Sequence, residues 1–73
     1  MKKKMAKRNA LFLSVIDDKE KTLILEAIAT HYGITPQEAY AEVTDPEAEH
    51  LLDYMVEPQR SAASVLMQRH GMA

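Results

Sequence analysis

The sequence predicts an all-α protein, a compact bundle of three to four short helices preceded by a flexible basic N-terminal arm. Three observations carry this prediction. Apolar residues recur at helical spacing from Leu23 to His31, the spacing of one helix face. Two segments, Thr35-Pro36-Gln37-Glu38 and Thr44-Asp45-Pro46-Glu47, combine a capping hydroxyl, an early proline and a glutamate in the first turn. The chain's two glycines, Gly33 and Gly71, fall where helices would end, in the left-handed position that glycine enters without steric cost.

Taken in order, the first secure helix starts at Asp17 or Asp18, either of which can accept hydrogen bonds from the free amides of the first turn. Leu23, Ile24, Ala27, Ile28 and His31 form its inward stripe, and Gly33 ends it with Ile34 folding back onto the last turn. A short second helix begins at Thr35-Pro36, with Ala39, Tyr40 and Val43 inward. A third is expected from Thr44-Asp45-Pro46-Glu47 through Leu51, Leu52, Met55 and Val56. It stops at Glu57-Pro58, because a residue before proline is disfavoured in the α conformation. The last helix carries Ala62, Val65, Leu66 and the stem of Arg69, and Gly71 caps it. Acids near helix starts (Asp18, Glu38, Glu47) and cations near an end (Arg69, His70) match the polarity of the helix dipole.

The start of the chain is less regular. Leu11, Phe12, Val15 and Ile16 fit a helical stripe, yet a short β-branched apolar run also fits a strand. No other segment reads as a strand to pair with it, which favours a short helix or an extended arm over residues 9–16. Before it, Lys2, Lys3, Lys4, Lys7 and Arg8 give the first eight residues a charge of +5, which with the overall −2 leaves −7 on the remainder. Residues 1–8 therefore read as a basic disordered leader and 9–73 as one helical domain.

Composition narrows the function classes. A chain of 73 residues holds one domain only, and 47% hydrophobic with 27% charged residues is a balance that buries a core rather than one that stays disordered. With no cysteine, neither disulfides nor thiolate metal ligation reinforce a small core, so helix packing or a partner chain must. Lysines followed by the run Ala10 to Ile16 imitate a secretion signal, but the run is short and ends in Asp17-Asp18 without a small-residue cleavage site. No apolar stretch approaches the length needed to cross a bilayer, and a cytoplasmic protein is expected.

Several motifs carry candidate chemistry. The stretch from Ile24 to Val43 resembles a helix-turn-helix unit, with Ala29 four residues before Gly33, Ile34 after it and a new helix at Thr35-Pro36. Such a resemblance implies a second helix that reads DNA, yet here that helix carries Glu38 and Glu42 and no Lys or Arg, and Asp45 and Glu47 follow. Carboxylates near phosphates repel, so the unit reads as degenerate. Glu47-Ala48-Glu49-His50 supplies one E-x-x-H, where a metal-binding bundle uses two such motifs and two further glutamates. An acidic exposed helix face explains these residues without metal. His31 and His70 each precede a glycine in a last helical turn, where an imidazolium suits the dipole. Ser14, Ser61 and Ser64 lack a nucleophile-elbow context, and two glycines cannot form a phosphate loop. Tyr32, Tyr40 and Tyr54 suit the margin of a core or interface, and Met55 and Met67 suit core gaps.

These readings converge on a small non-enzymatic helical interaction or accessory module with no catalytic residue, cofactor or metal. Its partner is a protein or a second copy, for which Leu11, Phe12, Val15 and Ile16 are the candidate interface. The alternative is a nucleic-acid-associated protein. There the degenerate helix-turn-helix of residues 24–43 is accompanied by an arm of Lys2, Lys3, Lys4, Lys7 and Arg8 that touches phosphates weakly and without sequence preference.

Overall fold

Capped amphipathic segments too short to stand alone must share one core, and in the computed structural model, which describes residues 6–72, they do. Four α-helices are present, α1 (Ala6–Val15), α2 (Asp18–Tyr32), α3 (Pro36–Val43) and α4 (Gln59–Arg69), with a 3-10 turn at Leu51–Tyr54 between α3 and α4. There is no strand among the described residues. The radius of gyration is 11.1 Å, close to the value of about 11 Å for a compact domain of this length.

Local chemistry accounts for the ends of the helices. Asp17 caps α2 by accepting the Glu20 amide at 2.8 Å. Thr35 and Glu38 form a reciprocal capping box at α3, with Pro36 at its first position. The two glycines close α2 and α4 in the same way. Gly33 and Gly71 both have φ 69°, and the following residue folds back, the Ile34 amide onto the Ala29 carbonyl at 2.9 Å and the Met72 amide onto Met67 at 2.8 Å. Ile34 and Met72 then pack against the core.

α2 makes its most extensive packing with α3, while α1 rests on α3 and α4 bridges α2 and the 3-10 turn. Phe12 and Leu13 enter the core from α1 and Ile16 from just beyond its end, Ile24, Leu25, Ile28 and Ala29 from α2, Ala39 and Val43 from α3, and Ala63 and Met67 from α4. Leu51 and Met55 complete it.

Among the described residues one polar side chain is buried, and it is hydrogen-bonded on both its oxygen and its nitrogen. Asn9, only 1% exposed, donates from Nδ2 to the carbonyls of Val43 (2.7 Å) and Glu49 (2.8 Å) and accepts the Leu51 amide on Oδ1 (3.0 Å). A single asparagine of α1 thereby holds both ends of the irregular segment between α3 and the 3-10 turn. No buried side-chain polar atom among the described residues lacks a partner.

The structure decides the form of the first apolar run and corrects three expectations. Residues 9–15 are helical, one of the two forms expected for this run, and the helix starts at Ala6, so Lys7 and Arg8 belong to α1 rather than to a disordered leader. Burial of Asn9, Phe12 and Leu13 fixes the helix, and the Arg8 guanidinium donates to the Met72 carbonyl. Lys2, Lys3 and Lys4 lie outside the described residues.

The expected helix from Thr44 to Val56 does not form. Asp45 instead accepts the Glu47 amide on its carboxylate and the Ala48 amide on its carbonyl, a local turn that competes with helix. Asn9 then claims the backbone at Glu49 and Leu51. Finally, α2 and α4 are rotated relative to their expected stripes. Leu25 and Ala29 replace Leu23 and His31 inside, and Ala63 and Met67 replace Ala62 and Val65. The boundary at Glu57-Pro58, a cis peptide, stands directly before α4.

Candidate interaction surface

The rotation of α2 and α4 leaves outside the residues that a single apolar stripe would have buried. Leu23 is 58% exposed and Val65 50%. Between the two helices runs a groove of about 200 Å³ lined by Leu23, Ile24, Ala27, Met55, Ala62, Ala63 and Leu66, with Glu20 and Gln59 at its edge. A neighbouring depression of about 560 Å³ shares Leu23, Ala27 and Gln59 and adds Glu26, Thr30, His31 and Val56. The two adjoin at these shared residues and together make up a trough with exposed Leu23 and Val56 at its lip and Glu20 and Glu26 as its carboxylates. Its sequence signal was an excess of apolar positions. α4 carries Ala62, Ala63, Val65, Leu66 and Met67, more than one inward face accepts.

The four residues expected at an interface divide. Phe12 and Ile16 are core, at 0% and 6% exposure, while Leu11 and Val15 are exposed at 55% and 45%. With Lys7 one turn earlier, Leu11 and Val15 form an outer stripe of α1, apolar with a basic end.

Comparison with protein-family models, with curated proteins and with solved structures finds no match for this chain. Its chemistry is therefore read from its own geometry.

The α2–Gly33–α3 unit has the helix, turn and helix of the resemblance, but the outer face of α3 offers Gln37, Glu38, Tyr40 and Glu42. Glu38 is committed to the Thr35 amide, and that backbone hydrogen bond, followed by the Thr35 hydroxyl, holds its carboxyl below the usual glutamate range. The neighbouring cation is Lys21 of α2, whose Nζ stands 5.5 Å from the Tyr40 ring centroid. Glu47 and His50 do not share a helical face, because the segment is not helical. The His50 Nδ1 instead accepts the Leu52 amide at 3.1 Å and caps the 3-10 turn. No group of three or more metal-ligating side chains occurs among the described residues.

His31 stands edge-on against Tyr32 (4.7 Å) and His70 edge-on against Phe12 (6.4 Å). Ser14 and Ser61 spend their hydroxyls locally, on the Leu11 carbonyl and the Glu57 carboxylate. Met55 and Met67 are core. No helix among the described residues is long and apolar enough to cross a membrane.

Proposed function

We propose that the chain is a small, non-enzymatic, cytoplasmic interaction module whose α2–α4 trough receives an apolar helix with a basic end. The single observation supporting this reading is the trough itself. Small residues, Ala27 and Ala62, line it between larger ones, Leu23 and Leu66, with glutamates at its edge. An amphipathic helix seats apolar anchors in such a groove, and the carboxylates favour cations at the helix end.

The outer stripe of α1 fits that description, with Leu11 and Val15 as anchors and Lys7 as the cation. The occupant is accordingly a second copy of this chain. Such a contact is heterologous, one surface against a different one, and this makes it separable by mutation. Leu11→Glu spoils the stripe and leaves the trough, while Leu23→Glu spoils the trough and leaves the stripe.

Sedimentation equilibrium should show self-association of the intact chain, loss of it in each variant alone, and its partial return when the two variants are mixed. A chain that stays monomeric at millimolar concentration, or variants that associate as well as the parent, would refute the reading.

A further inference from the structure

A separate depression of about 270 Å³ lies where α2, the Gly33 turn, α3 and the 3-10 turn converge. It is lined by Ile28, Tyr32, Ile34, Glu42 and Tyr54. The trough and this corner share no residue. Its position follows from two chain-reversing features. Gly33 turns the chain so that Tyr32 and Ile34 flank the α2–α3 junction, and the 3-10 turn presents Tyr54 towards the same junction. Ile28, buried at 1% exposure, supplies an apolar wall.

The two tyrosine rings form a corner, with centroids 6.3 Å apart and planes inclined at 68°. The His31 ring abuts Tyr32 edge-on at 4.7 Å, and the Tyr54 hydroxyl accepts the Glu49 amide at 3.4 Å, so each ring has a neighbour that orients it. Glu42, exposed on α3, contributes the carboxylate, and no lysine or arginine lines the corner. The charge environment agrees. Burial holds the Tyr54 phenol above its ordinary range, the Glu49 hydrogen bond opposes that shift, and the carboxylates of Glu42 and Glu49 reinforce it.

These features select one ligand class. The negative face of an aromatic ring attracts a cation, most effectively one whose charge is spread over methyl groups and is cheap to desolvate. A carboxylate within reach adds attraction for the same ligand and repels anions. A purely apolar ligand gains nothing from Glu42. The depression, about 270 Å³, has room for an alkylammonium headgroup. We propose that this corner binds an alkylammonium group, seated in the open angle made by the Tyr32 and Tyr54 rings and facing the Glu42 carboxylate. The group is carried either by a free small amine or by a methylated lysine side chain, and the test below separates the two sources.

The experiment is a titration of the full chain, followed by the amide and ring signals of Tyr32 and Tyr54 in two-dimensional nuclear magnetic resonance. The probes are choline, its uncharged carbon isostere 3,3-dimethylbutan-1-ol, and an acetylated, amidated trimethyllysine. Choline or the trimethyllysine compound should shift these signals saturably in the millimolar range, with the isostere at least about fivefold weaker. Glu42→Gln keeps the shape and removes the charge, and should weaken the cations about threefold or more while leaving the isostere unchanged. A tighter trimethyllysine compound identifies a modified side chain as the source, and a tighter choline identifies a free amine. Isostere binding equal to that of the cations, cation binding unaffected by Glu42→Gln, or no saturable shift up to about 100 mM of any cation would overturn the proposal.

Discussion

Replacing Asn9 with alanine removes three hydrogen bonds at once and leaves their partners inside the protein. The Val43 carbonyl and the Leu51 amide are held in buried bonds, at 2.7 and 3.0 Å, and the Glu49 carbonyl in a partly buried one at 2.8 Å. A buried group stripped of its partner costs about 1–3 kcal/mol. Two such groups and a third that water partly reaches give a loss of about 3–5 kcal/mol for Asn9→Ala. Against a total stability of about 4–11 kcal/mol for 73 residues, that is a large fraction. Even a loss of about 3 kcal/mol should lower the melting temperature by about 12–24 °C.

Urea denaturation followed by circular dichroism measures the loss, and amide exchange at Leu51 locates it. Asn9→Asp sharpens the test. Its ionised carboxylate would face two carbonyl oxygens in a buried site, so its native pKa must be raised. The protonated form is then favoured on folding. The penalty relative to the parent should be smallest below the ordinary carboxylate range and grow as pH rises through the raised native value. A loss under about 1 kcal/mol for Asn9→Ala, or an Asn9→Asp penalty equal at about pH 4 and about pH 7, would refute the reasoning.

Two further outcomes concern the helix ends. A Cβ at Gly33 meets nothing within 4 Å, so Gly33→Ala should cost only its backbone strain at φ 69°, about 1 kcal/mol in thermal melts. Gly33→Asn should cost less, since asparagine tolerates the left-handed region, and an alanine variant as stable as the parent would contradict the cap. At α3, Thr35→Ala should lose about 1 kcal/mol. Because the Glu38 pKa is lowered in the fold by its bonds to Thr35, its contribution is present above the ordinary value of 4.5 and lost as pH falls through the lower native value. Glu38→Gln retains an acceptor for the Thr35 amide, so the protection of that amide, relative to its intrinsic exchange rate at each pH, should become insensitive to acid in the variant. Persistence of the acid response there would assign it to another group.

Capping chemistry was legible in the sequence because it is local. Asp17, Thr35 with Glu38, and the two glycines each act within a few residues, and each helix end they mark is where the structure has it. The rotation of α2 and α4 was not legible, since both helices carry apolar residues on more than one face and only the positions of the neighbours decide which face is buried. Neither was the fate of residues 44–50. The start signal at Thr44-Asp45-Pro46-Glu47 is real chemistry, but it closes a single turn around Asp45. What prevents a helix beyond it is Asn9, an unremarkable polar residue in the sequence that becomes decisive only once α1 packs beside a chain segment 34 to 42 residues away. The trough and the tyrosine corner share that limitation. Leu23, Tyr32 and Tyr54 are visible as amphipathic or apolar residues, while their grouping belongs to the tertiary fold.

The spans of the Asn9 bonds also bear on the order in which the molecule assembles. α2 and α3 meet across a tight glycine turn, so their contact forms at little cost in chain entropy. Asn9 can bond to Val43, Glu49 and Leu51 only after a loop of 34 to 42 residues has closed. Short-range pairings form early and distant ones late in small domains. The α2–Gly33–α3 hairpin is thus the natural nucleus, with the asparagine clasp fastening afterwards. Damage to the turn should then slow folding, whereas damage to the clasp should chiefly hasten unfolding. The speed with which this protein reaches its native state and the time it remains there would be governed by two different residues, Gly33 and Asn9.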